Sequence, residues 1–243
     1  MTKSTAFSPK ALKFFRQLAK NNRRDWFQPR KEMFDELIRE PMLQLVSEVA
    51  DDMRKFAVDY VPADPTKVIY RIYRDTRFSK DKTPYKTHIA AHFQHQKLPK
   101  NRAAGLYFSV SYTGVEIAGG IYMPGPEELA AVRAVIAGKP KAFAKLTSDP
   151  KLVRLLGHLQ GSKLARVPKG FEPDHPAAEW LRMKNFYFDL TLDSSAALKP
   201  TLRKTIVDRF KLLLPLVSYF NRAVLDSIEP EKPERPVRPE PMF

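Results

Sequence analysis

The sequence predicts an α+β fold, a mostly antiparallel sheet packed with N-terminal and C-terminal helices, on three observations. Helical periodicity fills the first quarter of the chain and returns near its end, and strand-like composition is confined to the stretches between. Strands and helices do not alternate strictly, as a doubly wound parallel sheet demands. With 243 residues, 43% hydrophobic and 11% aromatic, the chain can bury one sizeable core, and a single domain is expected over 5–228.

Each element follows from its own residues. Ser8-Pro9 has the form of an N-cap with proline at the first helical position, and Ala11, Leu12, Phe14, Phe15, Leu18 and Ala19 recur at helical spacing up to Asn21-Asn22. Asp25 is placed to cap a second helix with Phe27, Phe34, Leu37 and Ile38 as its apolar stripe. Pro41 is expected to bend or restart that helix into Met42, Leu45, Val46, Val49 and Met53. After the turn-rich VPADP at 61–65, KVIYRIYRD (67–75), GLYFSVSYTG (105–114) and VEIAGGIYM (115–123) are β-branched and aromatic and read as strands. Thr113-Gly114 joins the last two as a hairpin, and Gly119-Gly120 predicts a bulge or a close approach to the backbone. GPEELAAVRAVIAG (125–138) and DPKLVRLLGHL (149–159) read as helices, and NFYFDLTLD (185–193) as a further strand. From Ser195 to about Ile228 the pattern is helical, with Pro215 as a kink, and the proline-rich 229–243 reads as an extended, mobile tail.

Forty-two Lys and Arg against 27 Asp and Glu leave a formal charge of +15. The excess is clustered: residues 67–102 carry +8, whereas 41–66 carry −3, so the field is local and can steer an anion. The absence of cysteine excludes disulfides, thiolate metal sites and Cys nucleophiles, and fits a reducing compartment. No leader pattern opens the chain and no apolar run is long enough to span a bilayer, so a cytoplasmic protein without membrane association is expected.

The most unusual segment is RIYRDTRFSKDKTPYKTH at 71–88. It gathers Arg71, Arg74, Arg77, Lys80, Lys82 and Lys86 with Tyr85, His88 and several hydroxyls, a composition suited to phosphates and carboxylates. A solvated basic loop in which Asp75 and Asp81 pair with neighbours is the competing reading. NNRRDWF at 21–27, the run at 74–88, GLYFSVSYTGVEIAGGIYMP at 105–124 and KLARVPKGFEPDHPAAEWLRMKNFY at 163–187 together resemble the conserved family known as domain of unknown function 2461 over about residues 5–225. The resemblance implies which segments belong together and carries no reaction, cofactor or catalytic residue. Asn22, Arg23 and Trp26 at a helix start, and Lys184 among the cations near the 168–176 turn, are candidates to converge with the 71–88 loop on a small anionic ligand. Trp26 and Phe27 also fit simple packing of the N-terminal helices.

His88, His92 and His95 would share one face of a helix. In a strand, which fits equally, His88 and His92 share a face and His95 does not, and with no carboxylate in the run no metal is expected. Asp75, Asp81, Glu116, Asp174 with His175, and Asp189 are acid–base candidates unpaired by spacing, Glu116 being notable for its place between a hairpin turn and Gly119-Gly120. No nucleophile elbow, Walker loop or dinucleotide fingerprint occurs, so the sequence names no reaction and no cofactor. Three readings follow in order: a small-anion pocket edged by aromatics, in an enzyme or a binding protein; a nucleic-acid-associated protein; and a scaffold recruiting a protein partner.

Overall fold

The computed structural model describes residues 7–98 and 102–228. The expected tail at 229–243 lies outside the described residues.

Helix α1, Pro9–Lys20, begins where Ser8 Oγ accepts the Ala11 N–H at 3.3 Å. Its Leu12, Phe14, Phe15 and Leu18 are buried. A second helical run follows as α2 (Arg24–Phe27), a 3-10 turn, α3 (Lys31–Phe34), a π turn over Asp35–Arg39, and α4 (Glu40–Met53). Asp25 does not cap this run. It lies within the first turn, where it accepts the Trp26 N–H and pairs with Arg23. Pro41 stands in the first turn of α4, where the α-helix restarts as expected. The π turn immediately before it fits the ring, which in a regular α-helix clashes with the carbonyl four residues back.

The sheet is built from β1 (His88–Gln94), β2 (Gly105–Ser111), β3 (Val115–Ile121) and β4 (Phe186–Leu192), in that order and antiparallel throughout. The α+β class and the 105–123 hairpin are as expected. The 67–75 stretch is not a strand: after a 3-10 turn at Pro65–Val68 it makes only isolated bridges, Ile69 to Ala91 and Tyr73 to Tyr85. Its hydrogen bonds are divided between β1 (Tyr70 N–H to Ala90, 2.9 Å) and its own returning arm (Lys86 N–H to Ile72, 2.8 Å), so no continuous ladder forms.

Helices α5 (Pro126–Gly138), α6 (Pro140–Thr147), α7 (Pro150–Leu156) and α8 (Ala178–Leu181) fill the crossover between β3 and β4. Helix α9, Leu202–Ile228, continues through Pro215 and packs on the sheet. Alternation then sorts the side chains. Ile89, Phe93, Leu106, Phe108, Ile117, Phe186 and Phe188 face α9 and are buried. Gly119 is required by that contact, because a Cβ there would sit 3.0 Å from Leu213 Cβ. The β2–β3 and β3–β4 registers pass both glycines without interruption, so Gly119-Gly120 is a site of close approach and not a bulge.

Candidate functional site

The opposite face of the sheet carries the polar residues. The register aligns His92, Tyr107, Ala118 and Asp189 in one cross-strand row, Ala90, Ser109, Glu116 and Thr191 in the next, and Gln94, Gly105, Gly120 and Tyr187 on the other side. Gly105 and Gly120 are direct partners and leave a shallow floor. Over it lies a cavity of about 410 Å³ walled by Tyr70, His92, Tyr107, Tyr122 and Tyr187, with Glu116 and Asp189 on one side.

The His92 ring lies over Gly105, where any Cβ would overlap its Nε2. Its Nδ1 is 3.0 Å from the Tyr70 hydroxyl, and burial lowers its pKa to about 4, so the imidazole is neutral at ordinary pH. The Tyr70 hydroxyl and Nδ1 share one hydrogen bond, and Nε2 lies against Gly105. Burial raises Tyr107 to about 12 and keeps its hydroxyl a donor. Burial also raises Glu116, assisted by the nearby Asp189 and opposed by a 3.4 Å hydrogen bond from Ser109. Asp189 accepts from Gln160 Nε2. A carboxyl biased toward its protonated form, a neutral imidazole and several phenols therefore surround one space, an arrangement that can donate, accept and relay protons.

Of the residues the sequence singled out, His92, Glu116, Gly119, Gly120 and Asp189 line the cavity, while of the proposed anion-binding set Lys86 touches a wall residue, its Nζ lying 4.9 Å from the centre of the Tyr70 ring. It is half-buried, and its pKa is lowered first by burial and then by the charge of Arg71. Burial, and then the charge of Lys86, lower His88, which shares the sheet face of His92 but lies toward the strand's other end. Arg74 pairs with Asp81 and Thr83, and Arg77 pairs with Asp75; the Thr83 N–H and then Arg74 hold Asp81 at about 2, and Arg77 holds Asp75 at about 2. Lys80 is exposed, and Lys82 donates to the Thr76 carbonyl at 2.9 Å. Asn22 binds the backbone of Tyr85, whose ring is buried against Phe27; Trp26 packs on Phe14 with Arg30 over it; and Arg23 pairs with Asp25. Lys184 precedes β4 with its N–H on the Ser162 carbonyl at 2.8 Å, and none of the hydrogen bonds or ion pairs described above for the 71–88 loop involves it.

Tyr70, Tyr107, Tyr122, Tyr187 and Gly105 were not among the sequence candidates. For Gly105, Tyr107 and Tyr187 the signal was period two, since β2 and β4 alternate polar or glycine positions with apolar ones on a shared face; Tyr70 and Tyr122 lie outside the strands and carry no such signal. Among the described residues no group of three or more His, Asp or Glu could hold a metal, and no helix is long and apolar enough to cross a membrane.

A comparison with curated proteins returns no match to this sequence. A family model does match, over residues 10–219, which takes in α1 through most of α9, the whole sheet and every wall of the cavity. The chain therefore belongs to the family described as conserved hypothetical protein (DUF2461).

Proposed function

We propose that this protein binds a small, ring-bearing molecule with an anionic group in the open-face cavity, working in the cytoplasm that a cysteine-free chain favours. The observation that carries the reading is the low floor of the cavity: Ala118 and Gly120 present little or no side chain beneath a ring of tyrosines, and the His92 ring covers Gly105 at one edge, so a flat group fits between the His92 ring and the tyrosines. The anionic group is assigned to the rim. Lys86 is a half-buried cation that feels the charge of another cation, Arg71, and an anion there relieves both the burial and the repulsion. The opposite wall, Glu116 with Asp189, suits donors on the ring. A wholly anionic molecule is disfavoured deep in the cavity, because that wall offers Glu116 and Asp189 and no cation.

A thermal-shift and calorimetric screen tests this, using heterocyclic carboxylates, aromatic phosphates and their uncharged analogues. Binding of the charged members, weakened about tenfold or more by Lys86→Ala and abolished by Gly105→Leu, is the expected result. No hits, or hits indifferent to both variants, would overturn the reading.

A further inference from the structure

We propose that the outward face of α1 and the tip of the 74–84 loop form an interface for single-stranded nucleic acid, separate from the cavity. Lys10, Lys13, Arg16, Gln17 and Lys20 are the exposed positions of α1 after Pro9, and they fall on one side of a helix about 18 Å long. The helix contains no acidic residue. None of its cations joins an ion pair formed among the described residues. Such a stripe has no internal counter-charge and matches a chain of phosphates.

The residues just after α1 are tied to the base of the loop. Asn22 fastens the loop's base through the Tyr85 backbone, and Arg24 stands close enough to influence the Tyr85 hydroxyl. Beyond the Tyr73–Tyr85 bridge the chain turns out to Phe78, which is 95% exposed. An aromatic ring held in water has no packing role in the monomer. The Arg77 guanidinium, which also pairs with Asp75, lies 5.7 Å from its centre, with the exposed Lys80 and with Lys82, which donates to the Thr76 carbonyl, close by in the chain. A ring among cations is the arrangement that stacks an unpaired base while its flanking phosphates are neutralised.

An anionic membrane also attracts cations, but the geometry favours nucleic acid. A helix that lies on a bilayer presents its apolar face outward, and here Leu12, Phe14, Phe15 and Leu18 are all committed to the core. Phe78 alone is a small insertion.

Fluorescence anisotropy of the full chain with labelled 16-nucleotide DNA and RNA, between 50 and 200 mM salt, tests the proposal. Wild type should bind at the lower salt. Lys13→Ala with Arg16→Ala and Lys20→Ala should reduce the slope of log K against log salt by about two, as expected for three lost phosphate contacts on a single strand. Phe78→Ala should weaken binding about tenfold with the slope unchanged. All four positions are exposed, so folding is retained and circular dichroism verifies it. No binding at 50 mM salt, an unchanged slope in the triple variant, or an affinity indifferent to Phe78 would overturn it, as would binding to vesicles containing anionic lipid without binding to either oligonucleotide.

Discussion

Asn22 grips Tyr85 with both ends of its amide: Nδ2 donates to the Tyr85 carbonyl at 2.8 Å and Oδ1 accepts the Tyr85 N–H at 3.0 Å, across 63 residues of chain. The Tyr85 ring stacks on Phe27 at 4.1 Å, so the turn after α1 and the arm leading into β1 are joined by polar and apolar contacts together. Asn22→Ala leaves two part-buried backbone groups without partners, and a loss of about 2–3 kcal/mol is expected, seen as a Tm lower by roughly 5–10 °C. Asn22→Asp keeps the acceptor and should fall between. A loss below about 0.5 kcal/mol in urea unfolding would show that the clasp does not fasten the loop.

Gly120 and Gly105 should respond differently to alanine, although they are partners in one register. Gly120 has φ of 144°, a conformation L side chains rarely adopt, and a Cβ there would overlap the Phe186 carbonyl oxygen, which belongs to the paired backbone of β4. Gly120→Ala should therefore cost about 3 kcal/mol or more. At Gly105 the overlap is with the end of the His92 side chain, which can swing, and with Phe93 O at 2.8 Å. A smaller loss is expected, with a displaced His92 ring visible as a shifted imidazole resonance. Equal losses at the two positions would contradict this account.

His92 gives the protein an acid-sensitive term. Burial holds its pKa at about 4, below the ordinary value of 6.5, so the folded state resists a proton that the unfolded chain accepts. The contribution to stability is full above pH 6.5 and is lost as pH falls toward 4, up to about 3 kcal/mol in all. His88 and His95 are lowered in the same direction, so the wild-type slope is shared. His92→Gln should reduce the slope of stability against pH near pH 5 by close to one proton. Chemical denaturation at several pH values measures it, and an unchanged slope would remove His92 from the account.

The helices, the hairpin and β4 were legible because each carries its period in its own residues: α1 repeats Leu12, Phe15 and Ala19, and β4 alternates Phe186 and Phe188 with Tyr187 and Asp189. Residues 67–75 misled because composition measures strand propensity, while a strand also needs a neighbour with continuous free backbone, and this segment divides its bonds between two. The helix Pro140–Thr147 went unread because it lies between two clearer ones. The charge at 71–88 was visible, but pairing of Arg74 with Asp81 and of Arg77 with Asp75 depends on the loop's path. The cavity was hidden for the converse reason. Its residues come from four strands and the approach to β1, and only the register of β1 to β4 brings Glu116 beside Asp189 and His92 beside Tyr107.

Asn221 repeats in the core what Asn22 does nearer the surface, and pH separates its roles. It is 1% exposed, accepts the Ala104 N–H at 2.8 Å, and donates to the Ala104 carbonyl at 3.0 Å and to the Tyr60 hydroxyl at 3.2 Å. It thereby pins the entry to β2 onto α9. Asn221→Leu conserves volume but leaves a buried N–H and a buried carbonyl unpaired, and a loss of about 2–4 kcal/mol is expected at every pH. Asn221→Asp is the more informative variant. When protonated, its carboxyl presents one acceptor and one donor to Ala104 and imitates the amide. When ionised, it is a charge in a dry site facing a carbonyl. Burial raises the folded-state pKa of such a group above its unfolded value, so stability is retained in acid and lost as pH rises through the folded pKa. The aspartate variant should therefore exceed the leucine variant in stability near pH 4 and fall below it near pH 8. Parallel pH profiles for the two variants would mean that Asn221 only fills space and that the two bonds to Ala104 do not hold β2 to α9.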